Sequence, residues 1–99
     1  MTAWTYITTN TSNRVLYTGV TSNLKSRIEN HKIKKYPNSF TARYNAYKLV
    51  WFQEFNSIID AHEREKQIKA GSRLKKIKLI EEMNPEWEDL YDTLSEQRV

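Results

Sequence analysis

From the third residue the chain alternates in a period of two. Trp4, Tyr6 and Thr8 share one parity and Ala3, Thr5, Ile7 and Thr9 the other, nearly all of them β-branched or aromatic. That pattern predicts a strand over 3–9. "NTSN", 10–13, is turn chemistry, and "RVLYTGV", 14–20, reads as a second strand. Strands this close in sequence pair as an antiparallel hairpin. Centred between Thr11 and Ser12, the hairpin sets Tyr6 opposite Tyr17 on one face, whereas a slip of one residue would part them.

The period then changes. Thr21 or Ser22 serves as N-cap for a helix running to about Lys34, with Leu24 and Ile28 inward. "KKYPNSFTARYNAY", 34–47, holds Pro37 and several turn formers and reads as an irregular basic and aromatic loop. "KLVWFQEF", 48–55, is apolar at four successive positions, as in a strand covered on both sides. "SIIDAHEREKQIKAGSR" predicts a helix capped by Asn56 or Ser57 and ending near Gly71, with Ile58, Ala61, Glu65 and Ile68 on one stripe. Leu74, Ile77, Ile80 and Met83 mark a further amphipathic helix with its lysines outward, stopped by Pro85. Trp87, Leu90, Tyr91 and Leu94 predict a last helical segment.

With 99 residues, 38% hydrophobic and 28% charged, the expectation is one soluble domain with a core over about 3–91. The chain has no cysteine and no long apolar window, which fits a cytoplasmic protein with no membrane partner. Charge sharpens the picture because its signs are segregated. Residues 1–78 hold fifteen Lys or Arg against five acids, while 79–99 hold seven acids against Arg98 alone. A basic body with an acidic segment at 81–96 suits a polyanionic partner.

Some residues sit oddly on their faces. Residues three, four and seven apart share a helix face, so Arg27 and His31 border the buried stripe of Leu24 and Ile28. With Tyr17 on the preceding strand and Gly19 permitting close approach, several polar groups converge at the strand-to-helix junction. Glu65 lies mid-stripe among Ile58, Ala61 and Ile68, where an unpartnered carboxylate is costly. A structural ion pair, with Arg27 as partner, and a metal or acid–base role both stay open. Two glycines are too few for a glycine-rich phosphate loop, and two histidines without cysteine make a structural zinc site a poor fit.

Taken in order, Trp4-Thr5-Tyr6, Tyr17-Thr18-Gly19 with "VTSNLKSRIENH", "FTARYNAYKLVWFQEF", "AHEREKQIK" and "MNPEW" resemble the GIY-YIG nuclease superfamily, specifically its small stand-alone bacterial members. The resemblance spans about residues 4–90. It implies an α+β fold, a small three-stranded antiparallel sheet flanked by helices. It implies Tyr6 and Tyr17 as the signature tyrosines, Arg27 as the active-site arginine, His31 as the helix position held by His or Tyr, Glu65 as the acidic ligand of Mg²⁺, with Mn²⁺ as a substitute, and Asn84 as the late asparagine bordering the site. The implied activity is Mg²⁺-dependent hydrolysis of DNA, branched and single-stranded forms included, in repair or recombination.

Such chemistry needs an activated water, charge neutralisation at phosphate and help for the leaving oxygen. Arg27 can clamp a phosphate oxygen. A phenol, with a reference pKa of about 10, needs cationic neighbours before it can accept water's proton. Lys32, Lys34, Lys35, Arg43, Lys69, Arg73, Lys75, Lys76 and Lys78 are then candidate backbone contacts, and Tyr36, Tyr44 and Tyr47 candidate stacking surfaces. The alternatives are a nucleic-acid-binding module that keeps the fold without activity, and a protein-interaction domain using the acidic segment.

Overall fold

The computed structural model describes residues 1–96, so Arg98 lies outside it. The central strand β1 (Ala3–Thr9) pairs antiparallel with β2 (Leu16–Thr21) on one side and with β3 (Lys48–Phe55) on the other. Between β2 and β3 lie α1 (Leu24–Lys32) and a one-turn helix α2 (Phe40–Arg43). After β3 come α3 (Ile58–Ala70), α4 (Arg73–Met83) and a closing 3₁₀ segment, Leu90–Glu96. This is the expected α+β architecture. No helix among the described residues is long and apolar enough to cross a membrane.

Alternation along β1 divides the core between the two faces of the sheet. Trp4 and Tyr6 join Leu49 on the face covered by Leu24 and Ile28 of α1 and by Leu94. Ile7 joins Val50 and Trp51 on the opposite face, against Ile68 of α3 and Ile80 of α4. The apolar run of β3 is explained by a bulge: Ile7 pairs with Trp51 and Thr8 with Leu49, leaving Val50 as the extra residue. Val50 and Trp51 therefore both serve the second cluster while Leu49 and Phe52 serve the first. Thr5 Oγ1 donates to the Ala61 carbonyl at 2.7 Å and fastens α3 to the central strand.

Several local expectations are corrected. In the hairpin, Tyr6 lies opposite Gly19 and Tyr17 opposite Thr8, two residues away from the expected register. The cause is Asn10, whose side-chain oxygen accepts from the backbone N–H of Arg14 at 2.9 Å and of Val15 at 3.1 Å. That capture keeps both residues out of the ladder, so β2 begins at Leu16. A shift of two preserves the face, and both tyrosines still point to the α1 side. Asn23, not Thr21 or Ser22, caps α1 by accepting from Ser26 N–H at 3.1 Å, and the helix stops at Lys32. Lys34 follows with a φ of 53°, the left-handed position that commonly ends a helix.

The loop 34–47 contains α2, capped by Ser39. In α3 and α4 the first apolar residues of each stripe, Ile58 and Leu74, are 37% and 74% exposed because both lie in first turns beyond the reach of the sheet's cover. The final segment is a 3₁₀ helix, preceded by Trp87 at a φ of 55°.

Gly19 carries a constraint beyond strand pairing. A Cβ there would lie 2.6 Å from Tyr6 Cζ and its hydroxyl oxygen and 3.0 Å from Tyr17 Cε2. The Tyr6 ring is fully buried and has no room to retreat. We therefore expect Gly19→Ala to destabilise the protein by about 1–3 kcal/mol, the usual range for overpacking, seen as a fall in melting temperature of at least roughly 4 °C. A melting temperature unchanged from wild type would refute the close approach.

Candidate active site

Tyr6 lies on the central strand with its hydroxyl over Gly19, where it meets α1. Its oxygen is 3.0 Å from His31 Nε2, and the other ring nitrogen, Nδ1, is 2.9 Å from Thr41 Oγ1. Thr41 is buried in α2 and lies 3.3 Å from the hydroxyl of the cap Ser39. One hydrogen-bonded chain thus runs from β1 through α1 to α2. Tyr17 packs against the same group, its ring 6.3 Å from that of Tyr6 and edge-on to His31 at 6.1 Å.

Burial, reinforced by the neighbouring Tyr17 hydroxyl and by Glu65, pushes Tyr6 well above the ordinary phenol range, while the Arg27 guanidinium pulls in the opposite direction. Tyr6 is consequently a neutral phenol near pH 7. Burial, together with the Arg27 charge, lowers His31 from 6.5 to about 4, so its imidazole is neutral as well. With both rings neutral, one imidazole nitrogen donates and the other accepts, so Tyr6 and Thr41 face His31 with complementary roles.

Beside this chain lies a cavity of about 490 Å³ lined by Tyr17, Arg27 and His31 together with Asn30, Phe40 and Thr41. Tyr17, Arg27 and His31 are therefore brought together as the sequence predicts, and Tyr6 stands behind them in the core. Glu65 projects from α3, with its side chain 18% exposed. Its partners are Lys69 Nζ at 3.1 Å and His62 Nδ1 at 3.5 Å. The ion-pair expectation is thus met by Lys69 in place of Arg27, on the helix's own i, i+4 spacing.

A single half-buried carboxylate is a sparse donor set. No group of three or more His, Cys, Asp or Glu among the described residues is arranged to hold a metal. Mg²⁺ is nevertheless commonly held by one or two carboxylates with waters and substrate phosphates completing its shell. Glu65 fits that mode.

Asn84 stands apart from the tyrosine group. Its amide donates to the carbonyls of Val50 at 3.2 Å and Glu88 at 2.8 Å, and its oxygen accepts from Glu88 N–H at 3.0 Å. Every partner belongs to β3 or to the turn after α4, and this asparagine fastens that turn.

The basic residues divide in the same way. Lys32 is committed to Asp89 and lies 5.6 and 5.1 Å from the ring centres of Tyr47 and Tyr91. Lys34 lines the cavity, Lys35 sits 5.8 Å over Tyr36, and Arg43 is exposed at the end of α2. Lys69 pairs with Glu65, and Arg73 donates to the Asn13 carbonyl at 3.2 Å. Lys75 and Lys76 line a smaller cleft between α3 and α4, and Lys78 is exposed.

Phe40, Thr41 and Asn30 carry site geometry that periodicity did not single out. The available signal was Ser39, a cap residue two positions after Pro37.

Comparison with known proteins places this arrangement. The family model described as the GIY-YIG catalytic domain matches residues 2–78. A UPF0213 protein of Syntrophus aciditrophicus is 39% identical over 75 residues, 76% of this chain and 85% of that protein. One from Staphylococcus haemolyticus is 40% identical over 67 residues, 68% and 80% of the two chains. The solution NMR structure of the UPF0213 protein of Bacillus halodurans aligns with a TM-score of 0.57 at 28% identity, covering 90% of this chain and 93% of that one. The matched segment contains the hairpin, α1, α2 and the helix bearing Glu65, and this chain belongs to the GIY-YIG catalytic domain family.

Proposed function

We propose that this protein is a metal-dependent endonuclease that hydrolyses phosphodiester bonds in DNA. The family implies a nuclease-type function. The observation that carries the finer reading is the convergence of Tyr17, Arg27 and His31 on one cavity, backed by the buried Tyr6. Arg27 supplies a bidentate donor for a non-bridging phosphate oxygen. Tyr17, the signature tyrosine that lines the cavity, acts as phenolate beside Arg27 and takes the proton of the attacking water, while the water oxygen bonds to phosphorus and the bond to the leaving oxygen breaks. Tyr6 is unsuited to that task, since burial keeps its proton in place and its hydroxyl is engaged by His31.

The neutral His31 then has a positioning role. Held by Thr41 at Nδ1, it fixes the Tyr6 ring, and with it the wall against which Tyr17 packs. Glu65 would hold the divalent cation, which when bound would supply positive charge for the phosphate and the leaving oxygen. Lys34 on the cavity wall, Lys35 over the ring of Tyr36 and the exposed Arg43 at the end of α2 serve as backbone contacts.

A second reading, a DNA-binding module without activity, is favoured by one observation. Lys69 already neutralises Glu65 at 3.1 Å, and a cation would have to displace it.

Three outcomes follow from the first reading. Supercoiled plasmid or branched DNA incubated with Mg²⁺ should be nicked by wild type and left intact under chelator or by Glu65→Gln, which should still bind DNA with the same salt dependence. Binding without cleavage by wild type on every substrate selects the second reading. Tyr17→Phe should lower the cleavage rate by roughly 10²-fold or more, whereas Tyr6→Phe should mainly cost about 1 kcal/mol of stability through its lost hydrogen bond. The reverse order of effects would overturn the assignment of the two tyrosines.

His31 gives the pH dependence. Its folded-state pKa of about 4 lies below the unfolded value of 6.5. Its contribution to stability is therefore complete above pH 6.5 and declines as pH falls from 6.5 toward 4. An NMR titration of the His31 ring should show no protonation at pH 6, and a midpoint near 6.5 would contradict the buried hydrogen-bonded geometry.

A further inference from the structure

The geometry points to the cavity beside Tyr17 as a nucleobase subsite, which takes the base attached to the phosphate held by Arg27 and stacks it on Phe40. This inference rests on the nuclease reading for what Arg27 holds, and adds the chemistry of the ligand beside it.

The first support is an aromatic array. Phe40 stacks on Tyr17 with ring centres 5.7 Å apart and planes at 27°, and Tyr44 packs on Phe40 at 4.7 Å. Phe40 remains 44% exposed and Tyr36, also on the cavity wall, 61%. Large aromatic side chains left open beside a reactive site are unusual unless something flat covers them. This array is also held in place: Ser39 caps α2 by accepting from Ala42 N–H, and Thr41, the residue after Phe40, is hydrogen-bonded to His31. The same chain that fixes Tyr6 therefore fixes Phe40.

The second support is the composition of the lining. Arg27 and Lys34 bring two cations, and none of the residues lining the cavity is acidic. A ligand that matches this wall is an anion with a π-face attached, which describes a nucleotide. An acidic peptide would satisfy the cations and leave the aromatic wall unused. A volume of about 490 Å³ is of small-ligand size. Asn30 on the rim presents an amide able to meet a base edge with both a donor and an acceptor. A base seated here is out of its helical stack, as in other enzymes that handle one nucleotide at a time.

The test uses the full chain with chelator present, so that no substrate is cut. Two tetranucleotides are compared by titration: one fully abasic, and one carrying a single base among three abasic sites, so that only one base can seek the cleft. For wild type the single base should strengthen binding by roughly 5- to 100-fold, the range seen for base–aromatic stacking. Phe40→Leu, which keeps apolar bulk without a π-face, and Phe40→Ala should both abolish that gain, while Phe40→Tyr keeps it. No gain in wild type, or a gain that survives Phe40→Leu, overturns the subsite. The two readings fail separately. Plasmid cleavage without a base-dependent gain removes the subsite and leaves the nuclease, whereas a Phe40-dependent gain without cleavage removes the hydrolysis and leaves the subsite.

Discussion

For Tyr6 to reach His31, a ring anchored on the buried central strand must lie across the edge strand beside it, and it can do so only because position 19 carries no side chain. From that crossing the rest of the site is assembled. The Tyr6 hydroxyl orients His31, His31 orients Thr41, and Thr41 fixes α2 against α1. Tyr17 fills the remaining side of the same spot. A sheet residue, a helix residue and a loop residue are thereby held in one geometry by two hydrogen bonds and one missing methyl group. None of the three side chains needs a charge to stay there. The one charged member of the group, Arg27, hydrogen-bonds the Tyr6 side chain and also lines the cavity.

The elements that could be read from the chain are those with strong local signals. β1, β3 and α3 lie where alternation and the Ser57 and Gly71 boundaries put them, because each is specified by its own residues. The hairpin register was not readable, since it depends on which backbone N–H groups the Asn10 side chain captures, and that is a competition between loop and ladder. The one-turn helix α2 was hidden for a related reason. Four residues give no period to detect, and the stretch around Pro37 looks like a loop from composition alone. Thr41 and Phe40 went unnoticed with it.

Site residues followed the same logic. Arg27 and His31 were visible because helix periodicity puts them beside Leu24 and Ile28, and Glu65 because it interrupts a stripe. The sequence pointed to Arg27 as the ion-pair partner of Glu65, whereas the partner found is Lys69, one turn further along the same helix. Asn84 shows the limit of position-by-position transfer. Its amide is spent on the turn after α4, beyond the segment that the family model matches.

The acidic segment has a physical task that its charge alone does not suggest. β3 is an edge strand, and Asp89 accepts from the Leu49 backbone N–H at 3.1 Å while its second oxygen pairs with Lys32 of α1. Tyr91 adds a bond to Glu29 at 2.8 Å. A carboxylate thus takes the place of a neighbouring strand at the start of β3, and the counter-ion of that carboxylate, Lys32, directly follows the site residue His31 at the end of α1. A chain cut short after α4 would leave the Leu49 backbone N–H on an open strand edge and Lys32 without its carboxylate partner. The closing segment thereby ties the edge strand β3 to α1, and part of the chain's acidic charge is spent inside the molecule on Leu49 and Lys32.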